Sequence, residues 1–152
     1  METTNQKSID ALNNLLEINN DRIEGYNHAS KETNDADLKN LFSQLSSTSY
    51  KLKQELTSEI LKLGGTPIEG TRNTGKLYRA WMDIKAALTG KDRKAILNSC
   101  EYGEDVAVKN YSNTLKDEAI DSALYPMISN QYTLLKADHD KVRKLRDILV
   151  EA

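Results

Sequence analysis

The feature that most constrains the fold is a stripe of apolar residues, spaced three and four apart, in the first half of the chain. The stripe consists of Leu38, Leu41, Leu45, Leu52, Leu56, Ile60 and Leu63. This spacing places every member on one face of an α-helix. Gly64 and Gly65 follow directly, and glycine suits the left-handed conformation in which many helices end. The pattern predicts a long amphipathic helix over residues 36–63.

Three further long stripes and one short stripe have the same helical period. Ser8 precedes the first stripe and is predicted to be its N-cap, because a serine side chain can accept a hydrogen bond from a backbone amide of the first turn. The predicted helices cover about residues 8–33, 36–63, 75–88, 91–115 and 120–150.

The order of these segments predicts an all-α protein with a single domain over residues 1–152. Four long helices form two hairpins, and a long connection that contains the short helix 75–88 joins them. A bundle with one long crossover is typical of ferritin-like folds. An up-down-up-down bundle with an enlarged loop is the alternative.

Charge and hydropathy exclude several classes of partner. The chain has 21 basic and 23 acidic residues, whereas nucleic-acid-binding proteins usually carry a basic face. No apolar run approaches the ~20 residues of a membrane helix, and the N-terminal segment lacks the pattern of a secretory signal. Cys100 is the single cysteine, so no internal disulfide can form, which agrees with a reducing compartment. We expect a cytoplasmic protein that binds neither membranes nor nucleic acid.

A carboxylate interrupts the apolar stripe of the third long helix. Glu104 lies on the same face as Cys100 and Ala107. Counting outward from the two hairpin turns at ~1.5 Å per residue places one inward polar residue of each long helix at mid-height. The sequence therefore predicts a polar core layer of Asn19, Ser49, Glu104 and Gln131.

Two interpretations of Glu104 stay open, because a buried carboxylate needs a partner. In the first, the Gln131 amide donates a hydrogen bond to Glu104, and Glu104→Gln has only a modest effect on stability. In the second, Glu104, Gln131, Asp138 and His139 bind iron or manganese. A di-iron bundle needs a Glu-x-x-His motif on each of two helices, and the chain contains none; the nearest string is "KADH", 136–139. We therefore favour a structural layer with no cofactor.

The other candidate groups have ordinary structural explanations. Glu17, Asp21, Glu24 and His28 lie on one line of the first helix, which predicts a solvent-exposed face. Cys100 on the buried stripe is expected to be an unreactive thiol. We predict no catalytic residue.

Several strings together carry a resemblance to a known family. They are "LLEINNDRIEGY", "LKLGG", "LYRAWMDIKAALTG", "CEYGEDVAVKNY" and "ADHDKVRKLRD". With these strings the chain resembles a family of bacterial ferritin-like four-helix-bundle proteins of unknown function. The resemblance implies a ferritin-like bundle with a crossover and a location in the bacterial cytosol. The family's recurring polar positions fall on Glu17, Asp21, Glu101, Glu104, Tyr111, Gln131 and His139.

These observations predict a non-catalytic ferritin-like bundle that self-associates and serves in stress physiology or as an interaction module. The alternative is a metal-binding bundle that handles iron or manganese around Glu104. A third hypothesis is a bundle that binds a small apolar ligand in a groove between helices.

Overall fold

The computed structural model describes residues 3–70, 76–90 and 92–151. Within these ranges the protein is all-helical, which confirms the predicted all-α class. The helices are α1 (Thr4–Glu32), α2 (Ala36–Lys62), α3 (Lys76–Gly90), α4 (Arg93–Leu115) and α5 (Tyr125–Glu151), with a 3-10 helix at Ser122–Leu124. The predicted helix starts at residues 75 and 91 lie outside the described residues. No helix in the described part of the chain is long and apolar enough to cross a membrane.

The structure corrects two predicted helix starts: α5 begins at Tyr125 and not at residue 120, and α1 begins before Ser8. α1 begins one turn before Ser8, because the Thr3 hydroxyl accepts from the backbone amide of Gln6 at 3.1 Å. Ser8 is not the N-cap. It is buried, and its Oγ accepts from the backbone amide of Asp121 at 2.9 Å, which ties α1 to the α4–α5 connection. Gly64 has φ 83° at the end of α2, the left-handed conformation predicted there.

Contacts between side chains show the directions in which the long helices run. α1 is antiparallel to α4, since Asn19 contacts Tyr111 whereas Arg22, further along α1, contacts the earlier Glu104. α2 and α5 are also antiparallel, since Glu55 contacts Gln131 and the earlier Gln44 contacts Lys141.

Because short connections join α1 to α2 and α4 to α5, both hairpins are antiparallel, and α2 and α4 run in the same direction. The connection between α2 and α4 therefore returns along the length of the helices, and it contains α3. In an up-down-up-down bundle α2 and α4 would run in opposite directions. The observed contacts exclude that alternative.

Two apolar clusters fill the interior. The first includes Leu12, Leu16, Leu52, Leu56, Ile60, Ile128 and Leu135. The second includes Tyr26, Leu41, Phe42, Leu45, Ile96, Leu97 and Val142. On α5, Leu135 is buried, whereas Leu134 is 37% exposed. The buried polar side chains Arg22, Ser49, Glu104 and Asp138 lie between the two clusters in the sequence of their helices, whereas Gln131 lies among residues of the first cluster.

The short helix α3 packs against α1 and α4 through Trp81. The indole lies on Gly25 so closely that a Cβ added to Gly25 would be 1.9 Å from Trp81 Cε2. Trp81 also meets the ring of Tyr26 edge-on, with the centroids 4.8 Å apart. A glycine on α1 is therefore what lets α3 approach the bundle so closely.

Candidate functional site: an arginine in the polar core

The polar core is organised around Arg22, whose side chain is fully buried. Its guanidinium binds Glu104 through two hydrogen bonds, from Nε to Oε2 at 2.9 Å and from Nη2 to Oε1 at 2.6 Å. Nη2 also donates to Asp138 Oδ2 at 3.2 Å, and Nη1 donates to Ser49 Oγ at 2.5 Å. Arg22 of α1 thereby joins one side chain from each of the other three long helices.

Charge and burial act together on the groups around Arg22. Burial alone would lower the pKa of Arg22, but the negative charge of Glu104 and its hydrogen bonds raise it above the ordinary arginine value. Tyr26 donates to Glu104 Oε2 at 3.0 Å, and burial and the Glu104 charge raise the pKa of this tyrosine. Burial also raises the pKa of Asp138, partly offset by Arg22. Arg22 is therefore a permanent cation inside the bundle.

A chain of neutral groups continues the network towards the surface. Ser49 Oγ donates to Asn19 Oδ1 at 2.8 Å, and Asn19 Nδ2 donates to the Tyr111 hydroxyl at 2.9 Å. Tyr111 donates to Gln131 Oε1 at 2.6 Å, and Gln131 Nε2 donates to Glu55 Oε1 at 3.0 Å. Glu55 is only partly buried, so the chain of hydrogen bonds ends near solvent.

The four residues of the predicted polar layer all lie in this network. Asn19, Ser49, Glu104 and Gln131 are each 0–1% exposed. The predicted hydrogen bond from Gln131 to Glu104 is wrong, however, because Gln131 donates to Glu55 and to the Leu52 carbonyl.

Arg22, the partner of Glu104, was not predicted from the sequence. Its position carries a usable signal: Arg22 lies three residues after Asn19 and four before Tyr26, so it shares their helix face.

The four residues predicted to bind a metal in the core are not brought together as one ligand set. Glu104 and Asp138 both bind Arg22, and Gln131 belongs to the neutral branch. His139 contacts Asp105 and Asp140 instead. Among the described residues, the ligand atoms that do converge lie outside the core, on Glu101, Asp105 and His139.

The predicted solvent-exposed line on α1 is only partly exposed. Glu24 and His28 are exposed, but Asp21 is 4% exposed and Glu17 is half-buried. Asp21 and Gly25 line a pocket between α1 and α3, so the prediction is wrong for Asp21 because α3 lies along this side of α1.

Residues 7–117 match the protein family described as Domain of unknown function (DUF2383). The chain belongs to this family. The matched segment contains Arg22 and Glu104, whereas Asp138 and His139 lie beyond it. No curated protein matches the chain.

The single cysteine of this DUF2383 member lies beside the charged core. Cys100 is a free thiol with no exposed surface. Burial, with a further contribution from the Glu104 charge, raises the pKa of the thiol. A raised pKa reduces the thiolate fraction, which is the nucleophilic form.

Proposed function

We propose that this protein is a non-catalytic bundle of the ferritin-like type, used as an interaction module, in which Arg22 occupies the place of a core metal ion. The shared direction of α2 and α4, with a long crossover between them, supports the ferritin-like arrangement. The observation that carries the proposal is the double hydrogen bond from Arg22 to Glu104, together with the contact from Arg22 to Asp138.

The charge of Arg22 and its position between two carboxylates both oppose metal binding in the core. Carboxylates on facing helices are the groups that bind iron in bundle cores, and here Arg22 already donates hydrogen bonds to both of them. A divalent ion would have to displace the guanidinium and leave its charge buried and unpaired. An unpaired buried charge costs several kcal/mol, so the arginine protects the core from metal.

Aerobic oxidation of Fe²⁺ tests the absence of catalysis. We expect the same oxidation rate with and without the purified protein, and no difference between the wild type and Glu104→Gln. Catalysed oxidation that Glu104→Gln abolishes would contradict the proposal, because it would place a working metal at the core carboxylate.

A second candidate function is binding of a small apolar ligand between α1 and α3. A pocket of about 160 Å³ lies there, lined by Gly25, Ala29, Trp81, Ile84 and Leu88 among others. An apolar cavity of ~150 Å³ is large enough for benzene, so the pocket fits one ring.

Fluorescence of Trp81, the single tryptophan of the chain, tests this candidate with benzyl alcohol as the probe. A saturable change in emission would support binding, whereas a change that stays linear up to the solubility limit would contradict it. Self-association and a role in stress physiology stay predictions from the sequence.

A further inference from the structure

A second cluster of ionisable side chains joins α4 to α5 outside the polar core. Glu101 and Asp105 lie one turn apart on α4 and face His139 on α5. Each residue offers one ligand atom, and the three atoms lie within 4.8 Å of one another. One imidazole nitrogen and two carboxylate oxygens from two rigid helices are a recognised donor set for a transition-metal ion.

The contacts of His139 within and beside this cluster are consistent with a cation at this place. Its side chain is 8% exposed, with Nδ1 3.0 Å from Asp140 Oδ1 and Nε2 in close contact with Asp105 Oδ1. A neutral imidazole donates a hydrogen bond from only one nitrogen. When Nδ1 donates to Asp140, the lone pair of Nε2 faces the Asp105 oxygen. Such a pair of electron-rich atoms is stable only with a proton or a metal ion between them.

The surroundings of His139 orient it for this role. Lys136 Nζ donates to the same Asp140 oxygen at 2.9 Å, which holds the carboxylate against Nδ1. A histidine that donates one N–H to a carboxylate while its other nitrogen binds metal is the usual arrangement in metal sites. When Nδ1 donates to Asp140, the Nε2 lone pair is the one available to a metal ion.

Glu101 can serve an ion without losing its present partner. Its side chain is 13% exposed, and Oε2 pairs with Arg146. A carboxylate has two oxygens, so Glu101 can hold Arg146 with one oxygen and an ion with the other. Arg146 then fixes the carboxylate in the way that outer-shell partners of metal ligands do.

We propose that Glu101, Asp105 and His139 form a binding site for one divalent transition-metal ion, with Zn²⁺ as the best fit. Three protein ligands and a water molecule complete a tetrahedral Zn²⁺ site, and Asp105, 59% exposed, leaves room for that water. Ca²⁺ requires six to eight oxygen ligands, more than this set provides. Ligand atoms around a tetrahedral Zn²⁺ are ~3.4 Å apart, so the three side chains would adjust from separations of up to 4.8 Å to bind the ion.

The ion would join α4 to α5 next to the polar core. Asp105 follows Glu104, and His139 follows Asp138, so the two residues that bind Arg22 neighbour two of the proposed ligands. An ion that binds only the folded state stabilises it by mass action. Metal at this site would therefore hold in register the two helices that carry both carboxylate partners of Arg22.

Calorimetric titration of Zn²⁺ into the metal-free protein tests the site. The chain has two histidines, and His28, which is exposed and pairs with Glu32 on its own helix, provides a matched control. We expect the wild type and His28→Gln to bind one Zn²⁺ per chain. His139→Gln and Asp105→Asn should each weaken binding at least tenfold. Unchanged affinity in His139→Gln, or no binding by the wild type, would overturn the proposal.

Two further readouts separate this site from folding effects and from the core. Asp105 also contacts His139, so the Tm of Asp105→Asn in EDTA is the reference for that variant; the Zn²⁺-induced rise in Tm above this reference should disappear. Glu104→Gln, studied below its own Tm, should still bind Zn²⁺. If Glu104→Gln lost the ion while His139→Gln kept it, the metal would lie in the core, and both this proposal and the proposed function would fail.

Discussion

Arg22 Nη2 lies 2.6 Å from Glu104 Oε1, and the two side chains are 0% and 2% exposed. A charged pair buried this deeply is costly to form, but removing one member is costlier still because it leaves the other charge without compensation. The interior of this bundle therefore depends on an ion pair as well as on its apolar packing.

Replacing Glu104 by glutamine removes the main counter-charge of Arg22. Asp138 then remains as a more distant carboxylate partner, at 3.2 Å. We expect Glu104→Gln to lower the free energy of unfolding by about 3 kcal/mol or more, since breaking a buried pair costs roughly 3–5 kcal/mol. Urea unfolding measures the loss. This loss is larger than the modest one predicted from the sequence, because that prediction assumed a hydrogen bond from Gln131 to Glu104.

A double variant provides the control for this prediction. In Arg22→Met with Glu104→Leu both charges of the pair disappear, so neither leaves the other unpaired, and only Asp138 loses its contact with Arg22. The combined loss should be smaller than the sum of the two single losses, because residues in direct contact are energetically coupled. Additive losses would show that the pair makes no specific contribution.

Gly25→Ala should displace α3 from the bundle. The new Cβ would overlap the Trp81 indole, so either the ring or the helix must move, at a cost of about 1–3 kcal/mol. Emission from Trp81 should shift towards that of exposed tryptophan. Gly90→Ala is the matched control, since a Cβ there meets nothing within 4 Å; an equal effect of the two variants would contradict the close packing.

Stability should fall at alkaline pH because of two buried tyrosines. Burial is the main cause that raises the pKa of both Tyr26 and Tyr111 in the folded protein. A raised folded pKa means that the stabilisation is fully present below the ordinary tyrosine pKa of about 10 and decreases as the pH rises above it. Unfolding free energies measured between about pH 8 and 12, roughly two units on either side of that pKa, should show the decline.

Tyr26→Phe or Tyr111→Phe should flatten this alkaline decline. Tyr50→Phe, at an exposed ring, serves as the control and should leave the slope as in the wild type. If neither Tyr26→Phe nor Tyr111→Phe changed the decline of unfolding free energy with pH, the decline would not come from the buried tyrosines.

Cys100 should resist thiol reagents while the protein is folded. The side chain has no exposed surface, and burial raises its pKa, so both access and thiolate fraction are low. Reaction with Ellman's reagent should be slow in buffer and rapid in unfolding concentrations of urea. Rapid, complete labelling in buffer would contradict the burial of the Cys100 thiol.

The long helices were predictable because each has an apolar stripe with a helical period and clear end signals, such as Gly64 after α2. The polar layer was predictable as well, because Asn19, Ser49, Glu104 and Gln131 interrupt those stripes. Their partners depend on side-chain reach across the bundle, which spacing along a helix does not describe.

The burial of Arg22 and of Asp21 was not predicted from the sequence. Arg22 shares the inward face of Asn19 and Tyr26, but its partners depend on its approach to Glu104 of a neighbouring helix. Asp21 is buried on the side of α1 where α3 lies, and the position of α3 depends on the contact between Trp81 and Gly25. Both burials are completed by tertiary contacts, which the spacing of residues along one helix does not describe.

The most direct test of the arginine-centred core is an anomalous difference map from crystals grown with Mn²⁺. We predict no anomalous peak between Glu104 and Asp138, with the guanidinium of Arg22 occupying that space. A peak between these two carboxylates, with Arg22 displaced, would contradict the account.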